Sequence, residues 1–76
     1  MPQNQKILRV EGLVEEALPS LLFRVRIHIL DNQDKIILAH LAGRLKLHRI
    51  RVIPGDRVSL EMTSLSDERA RIVRRL

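Results

Sequence analysis

The sequence predicts an all-β domain in which five short strands close into a small barrel. Three observations support this fold class. Apolar and polar residues alternate with period two in several segments, turn-forming residues separate these segments, and one insertion without strand character precedes the fourth strand. The chain has 76 residues and no cysteine, so its core must form without disulfides. Closure removes the edges that an open sheet of this size would expose.

The first two strands carry the clearest alternation. In residues 8–14, LRVEGLV, every second residue is apolar or glycine, and Gly12 predicts a bulge or strong bend with close backbone approach. Residues 19–20, Pro-Ser, supply a turn. Residues 23–29, FRVRIHI, alternate strictly, which predicts a half-buried strand with Phe23 at the start of its inward face.

Three further strands follow. Residues 31–34 predict a turn, and the run KIILA, residues 35–39, predicts a third strand that is buried on both faces. Pro-Gly-Asp at 54–56 is a strong turn signal. Alternation resumes over residues 58–62, and after a polar loop the closing strand covers residues 70–75, with its arginines facing outward.

The insertion is the segment GRLKLHRIRVIPGD, residues 43–56, where basic and apolar residues alternate until the pair His48-Arg49 breaks the pattern. A strand would carry the alternation through, so we predict a short helical turn or loop over residues 42–47. Apolar residues on either side should hold the insertion on the barrel: Leu41 and Leu45, then Ile50, Val52 and Ile53.

These elements fit the oligonucleotide-binding (OB) barrel, whose long connection lies between strands three and four. An SH3-like barrel is the structural competitor, but it gives no reason for the insertion. We expect residues 7–76 to form one domain and residues 1–6 to form a flexible tail. No apolar run approaches the length of a membrane span and the first six residues lack the apolar core of a signal peptide, so we expect a soluble intracellular protein.

The charge is unevenly distributed. Residues 1–42 carry five Lys/Arg and five Asp/Glu, whereas residues 43–76 carry nine against four, which is the whole net charge of +5. Two basic clusters in a short stretch favour a polyanionic partner over mere solubility. Phe23 is the one aromatic residue of the chain, so base stacking on several aromatics is excluded. The pattern favours structured RNA that is read through its phosphates and 2′-hydroxyls.

Catalytic and cofactor chemistry finds no support in the sequence. The histidines at positions 28, 40 and 48 have no metal-ligand spacing and no cysteine to join them. The three glycines form no phosphate-cradling loop, and no nucleophile, base and oxyanion donor can be assembled. We therefore expect a binding protein that is not an enzyme, with no metal and no cofactor.

Three stretches together resemble one protein family. EGLVEEALPSLLFRVRI, AHLAGRLKLHRIRVIPGDRVSLEM and RARIVRR follow, in this order, the pattern of bacterial and chloroplast translation initiation factor one. The resemblance covers roughly residues 10–75. Its Gly-Asp-x-Val turn is a weak signal, because many RNA-binding OB repeats share it. The segment Leu-Pro-x-x-x-Phe-x-Val, combined with the Gly-Arg and Ile-Arg spacing, is much more specific.

The resemblance implies a single OB domain that binds the small ribosomal subunit in its aminoacyl site, next to the decoding centre. Such factors occlude that site during initiation and act with the two other initiation factors to favour correct placement of the initiator tRNA. It implies contacts with 16S ribosomal RNA, a small-subunit protein nearby, and a monomer when free. The location would be the cytoplasm, or an organellar stroma or matrix for an organelle-derived chain.

The resemblance also implies individual contacts. Arg44 and Lys46 match basic positions after strand three, and Arg51 matches the arginine of Ile-Arg. Two arginines match the closing motif, Arg71 and Arg75. With their basic neighbours, the predicted rRNA-binding set is Arg44, Lys46, His48, Arg49, Arg51, Arg69, Arg71 and Arg75. The adjacent Arg74 and Arg75 should point to opposite faces of an extended strand.

The chain departs from the family pattern at several points. The turn in HILDNQDK is longer than usual, and residues 65–66 replace a Tyr-Asp pair. Arg49 and Arg74 stand where the family usually or often carries aromatics, which shifts binding from stacking towards charge. Ala70 stands where the family has a glycine, which leaves open whether the loop before strand five has the family conformation. Two alternatives to the initiation factor remain open: a general OB-type RNA chaperone, and a protein-interaction barrel whose basic face meets an acidic partner.

Overall fold

Five strands and one short helix follow each other along the chain: β1 Leu8–Leu18, β2 Leu22–Ile29, β3 Gln33–Leu41, α1 Gly43–Leu47, β4 Arg57–Met62 and β5 Arg69–Arg75. The computed structural model describes residues 7–29 and 33–76. The predicted tail, residues 1–6, and residues 30–32 lie outside the described residues. None of the described helices is long and apolar enough to cross a membrane.

The strands form a closed barrel in the order β1-β2-β3-β5-β4, and β1 closes it by pairing with β2 on one edge and with β4 on the other. The β3–β5 pair is parallel and the other four pairs are antiparallel. The predicted five-stranded barrel with a short helix between strands three and four is therefore confirmed.

The core consists of the inward-facing side chains that the period-two pattern selects. In β2 the burial alternates as predicted, and Phe23 is 4% exposed, which confirms it as a core residue. The most deeply buried large side chains come from four strands: Val14, Val25, Ile27, Val58, Leu60 and Ile72. The middle residue of α1, Leu45, is also buried. Removing this apolar surface from water is the main stabilising term of the fold.

Two burial predictions for the middle of the chain are wrong. β3 is not buried on both faces, because Ile36 is 46% exposed on the outer surface of the barrel. A run of apolar residues shows that a strand has a buried face, but not whether anything covers the second face. After the helix, Val52 is buried as predicted, whereas Ile50 and Ile53 are 36% and 55% exposed. The turn predicted over residues 31–34 is wrong at Asp34, which lies within β3.

The turn predictions at residues 19–20 and 54–56 are confirmed. Gly55 has a φ of 96°, which explains why glycine suits the second turn. The Gly55 N–H donates to the Val14 carbonyl at 2.8 Å, and the Val14 N–H donates to the Asp56 carbonyl at 2.9 Å. These two bonds fix the segment that precedes β4 beside β1.

Gly12 allows β1 to lie close to both of its neighbours. It is buried and pairs with Ile27 of β2 and with Val58 of β4. A Cβ atom at this position would lie 2.5 Å from Val25 Cγ1 and 3.0 Å from the Arg26 carbonyl oxygen. The close backbone approach predicted from the sequence is thus confirmed, and the bulge of β1 lies a few residues further on, between Val14 and Glu16.

We expect Gly12→Ala to destabilise the barrel by about 1–3 kcal/mol, because the added methyl group must displace a packed side chain and a strand backbone. Gly43→Ala is the matched control. A Cβ at Gly43 meets nothing within 4 Å, and an alanine in this first helical position should be neutral or slightly stabilising. Urea unfolding of both variants measures the difference, and equal stabilities would contradict this account of Gly12.

Candidate nucleic-acid interface

Residues 43–53 form the basic segment, which carries five of the predicted site residues on a short anchored support. The helix α1 begins after Ala42, whose N–H donates to the carbonyl of Ile72 in β5 at 2.9 Å. Leu41 and Leu45 are 4% and 6% exposed, so the predicted helical turn and both of its anchors are confirmed. With these leucines facing inward, the polar residues of the segment are left on the surface.

The pair that breaks the alternation, His48-Arg49, ends the helix. His48 is its C-cap, and Arg49 follows with a φ of 53°, in the left-handed region. The Arg49 N–H donates to the Lys46 carbonyl at 3.1 Å, and the Ile50 N–H donates to the Leu45 carbonyl at 3.0 Å. This is the Schellman arrangement, in which glycine usually occupies the position of Arg49. An arginine there costs roughly 1 kcal/mol of backbone strain.

The cations of the basic segment have no acidic partner among the described residues. Arg44, Lys46, Arg49 and Arg51 are all exposed, and none lies within 4.0 Å of a described carboxylate. The same holds, over the described ranges, for three other arginines of the C-terminal part: Arg57, Arg69 and Arg74. Unpaired cations keep their full charge and all of their donors for an anionic partner.

The β1–β2–β3 side of the barrel shows the opposite arrangement. Arg24 Nε lies 3.2 Å from Glu16 Oε1, and Arg26 Nε lies 2.8 Å from Glu15 Oε2. Asp34 accepts a hydrogen bond from His28 Nδ1 at 2.9 Å, and this bond is the main reason why the pKa of Asp34 lies below its ordinary value. Folding therefore neutralises the arginines of this side and leaves the excess charge on the other.

Beside the basic segment, the outer face of β1, β4 and β5 forms a groove of about 530 Å³. Four arginines line it, together with two acids: Arg9, Arg44, Arg71 and Arg74, with Glu11 and Glu61. Arg71 Nη2 donates to Glu61 Oε1 at 2.7 Å, and Arg9 Nη2 donates to Glu61 Oε2 at 3.1 Å. The pKa of Glu61 is lowered, first by the hydrogen bond from Arg71 and then by that from Arg9.

A bulge in β5 decides which arginines of the closing strand share this groove. Ile72 pairs with Leu60 but Arg74 pairs with Ser59, so Val73 is the extra residue and the alternation shifts by one. Arg74 therefore lies on the outer face with Arg71. Arg75 pairs with Val58, and its Nη1 donates to the Arg51 carbonyl at 3.2 Å, beside the basic segment.

The predicted site residues thus fall into four places. Five lie in the basic segment, Arg71 lies in the groove with Arg44, and Arg75 touches the basic segment from β5. Arg69 lines a hollow of about 360 Å³ with His40 and Met62, and this hollow shares Glu61 and Arg71 with the groove. Sequence reasoning did not select Arg9 and Arg74 as site residues. Arg9 could have been found from the pairing of the first and fourth strands, whereas no signal in the sequence announces the bulge.

The loop between β4 and β5 is tied down by polar contacts. Asp67 Oδ2 accepts from the Thr63 N–H at 3.0 Å, from Thr63 Oγ1 at 2.6 Å and from the Ser64 N–H at 3.1 Å. Lys35 Nζ donates to the carbonyls of Leu65 and Asp67 at 3.0 and 2.7 Å. Ala70, where the resemblance led us to expect a glycine, lies in β5 without a positive φ, so this backbone does not need glycine.

The closed five-stranded barrel with a helix before its fourth strand is an OB fold, and the cations gathered on one side without an acidic partner among the described residues favour an RNA-binding protein of this class. Comparison with known proteins narrows this class. The model of the family Translation initiation factor 1A / IF-1 matches residues 1–76. The chain belongs to this family, and it is a translation initiation factor of the IF-1 type.

Relatives and solved structures agree with this assignment. The chain is 46% identical over 74 residues to chloroplastic translation initiation factor IF-1 from Phalaenopsis aphrodite subsp. formosana and from Calycanthus floridus var. glaucus, covering 97% of this chain and 90% of each relative. The solution structure of the corresponding translation initiation factor from the Wolbachia endosymbiont of Brugia malayi matches with a TM-score of 0.67 and 35% identity, over 97% of this chain and 84% of that one. YjeQ from Thermotoga maritima matches with a TM-score of 0.68 and 25% identity, over 91% of this chain but 23% of YjeQ.

We expect Arg49→Gly to stabilise the protein by about 1 kcal/mol, because glycine adopts the left-handed conformation without the strain that a side chain brings. Arg49→Ala is the matched control, since it also removes the guanidinium group but keeps a Cβ at the strained position. Urea unfolding should therefore separate the two variants. A stability gain that is equal in both would show that the charge of Arg49, rather than its backbone, is the source.

We expect the barrel to lose stability as the pH is lowered through the range where carboxyl groups titrate, and Asp67 to contribute to this loss. The pKa of Asp67 is lowered, chiefly by the hydrogen bond from the Thr63 hydroxyl. Its stabilising effect is therefore complete above the titration range of unfolded aspartate, at about pH 4, and is lost as pH falls through the lower folded value. Asp67→Asn should shallow this decline in acid unfolding curves, and an unchanged slope would contradict the assignment.

Proposed function

We propose that the protein binds the small ribosomal subunit at the aminoacyl site through 16S ribosomal RNA and occludes that site during initiation, together with the other initiation factors. One observation carries the proposal. Seven of the nine Lys/Arg residues of the C-terminal part lack an acidic partner among the described residues, on a barrel of the IF-1 family. Such a surface suits the phosphates of a folded RNA.

The architecture supports a rigid mode of binding. The basic segment is attached to β5 through the Ala42–Ile72 hydrogen bond and through buried Leu45, so its cations are carried by the barrel rather than by a free loop. A partner that meets a preformed surface loses less conformational entropy on binding than one that must order it. In this proposal the volume of the barrel blocks the site, and the cations fix its position.

The chemistry of the surface favours charge over stacking. The single Phe, Tyr or Trp residue of the chain, Phe23, is buried, so none of these three ring types is available for base stacking. Arginine guanidinium groups recognise phosphates with paired, directed hydrogen bonds and can stack on bases that are already displaced. This supports recognition of structured ribosomal RNA rather than the general single-strand binding of an RNA chaperone.

The compartment follows from the ribosome that such a factor serves. Similar proteins include IF-1 factors described as chloroplastic, and one from a bacterial endosymbiont. We propose that this chain works where ribosomes of the bacterial type occur, either in a bacterial cytoplasm or in the stroma of a plastid.

We expect the double variant Arg44→Ala/Lys46→Ala to bind purified small subunits roughly tenfold more weakly at moderate salt, because two phosphate contacts are lost. The slope of log affinity against log salt should become shallower by about 1.5, as expected for two fewer released counterions. The measurement is equilibrium binding of labelled protein between about 50 and 200 mM salt, where counterion release dominates.

The matched control is Arg24→Ala/Arg26→Ala, which removes the same formal charge from arginines that are already paired with acids. This variant should lose clearly less affinity. Equal losses in the two variants would mean that net charge alone drives binding. Failure of aminoacyl-site ligands to compete with the wild-type protein, or equal affinity for unrelated structured RNAs, would contradict the proposed site.

A further inference from the structure

Glu61 occupies the centre of a charged row that crosses three strands. It lies on the outer face of β4, directly opposite Arg9 of β1 and directly opposite Arg71 of β5. Each carboxylate oxygen serves one arginine: Oε1 accepts from Arg71 Nη2 at 2.7 Å, and Oε2 accepts from Arg9 Nη2 at 3.1 Å. The acid side chain is 15% exposed, whereas those of Arg9 and Arg71 are 69% and 50% exposed.

This arrangement orients the two arginines without using up their donors. A guanidinium group carries five N–H donors, and the contacts to Glu61 use one terminal nitrogen of each arginine. The remaining donors stay available along the groove on the outer face of β1, β4 and β5. Arg44 and Arg74 line the same groove, and no described carboxylate lies within 4.0 Å of either of them.

An acid in the middle of a basic groove has two opposite effects on an anionic ligand. Its charge repels phosphate, which should weaken binding. Its hydrogen bonds, however, hold two long side chains that would otherwise lose rotamer freedom when the ligand binds. Both carboxylate oxygens of Glu61 accept hydrogen bonds from arginines, and this geometry favours the positioning effect over the repulsion.

We propose that Glu61 is a positioning residue for RNA binding, which holds Arg9 and Arg71 as a fixed pair for a backbone phosphate in this groove. The inference rests on the proposed function and extends its contact set to Arg9 and Arg74. Arg71 belongs to the set predicted from the sequence, but its arrangement with Arg9 depends on the closed barrel.

The test uses the sign of the effect of removing one negative charge. Glu61→Gln raises the net charge from +5 to +6, so simple electrostatics predicts tighter binding to small subunits. If Glu61 positions the arginines, binding should instead become about fivefold weaker, as expected when long side chains must be ordered during binding. Equilibrium binding at fixed salt, with the full chain and purified small subunits, distinguishes these outcomes.

Glu11→Gln is the matched control. Glu11 lines the same groove, but it makes no ion pair with a described residue, and its loss changes the net charge by the same amount. This variant should bind somewhat more tightly than the wild type. In the background Arg9→Ala/Arg71→Ala there is no pair to position, so adding Glu61→Gln should no longer weaken binding.

The outcomes separate this inference from the proposed function. If the wild type binds small subunits but Glu61→Gln binds as tightly or more tightly, the positioning role is overturned and the proposed function stands. If the wild type does not bind them, the proposed function fails and the inference falls with it. Thermal unfolding of each variant completes the test, because a Glu61→Gln protein that does not fold would assign this residue to stability and overturn the inference.

Discussion

The pairing of β1 on both of its edges is the constraint on which the rest of the structure depends. It turns five short strands into a barrel without free edges, so that a chain of this length can bury a continuous core. This pairing requires close approach at Gly12, where a Cβ would meet Val25 and the Arg26 backbone. It also brings Arg9 beside Glu61, although the two are far apart in the sequence. The same closure therefore creates both the core and the acid–arginine row on the surface.

Folding sorts the charges of this protein more sharply than the sequence does. On the β1–β2–β3 side, Arg24 and Arg26 face Glu16 and Glu15 across neighbouring strands, and such exposed pairs contribute little to stability. Their main consequence is that the described residues of this side present little unpaired charge. The cations of the basic segment have no such partners among the described residues, so the positive potential is concentrated around α1 and β5.

The elements that could be predicted from the sequence are those whose local pattern is compatible with a single type of structure. Strict alternation in β2 and the Pro-Gly turn before β4 are of this kind, and the basic segment is visible because its cations are neighbours in sequence. The exposure of Ile36 could not be predicted, because it depends on what covers a strand. The groove could not be predicted either. Arg74 reaches it only because Val73 shifts the register of β5.

The candidate interface is supported by the barrel and not by its own interactions. Arg49 is held in a conformation that favours glycine, Leu47 is 77% exposed, and the neighbouring cations repel one another. The strain at Arg49 and the repulsion between the cations oppose folding, and the exposed Leu47 contributes little to stability. The segment nevertheless has a defined shape because Leu45 is buried and Ala42 is bonded to β5. The side chains available for binding are thus separated from the side chains that stabilise the fold. Most of the basic residues can therefore be changed one at a time without loss of the barrel, and Glu61, whose hydrogen bonds to Arg9 and Arg71 are on the surface, belongs with the binding side chains.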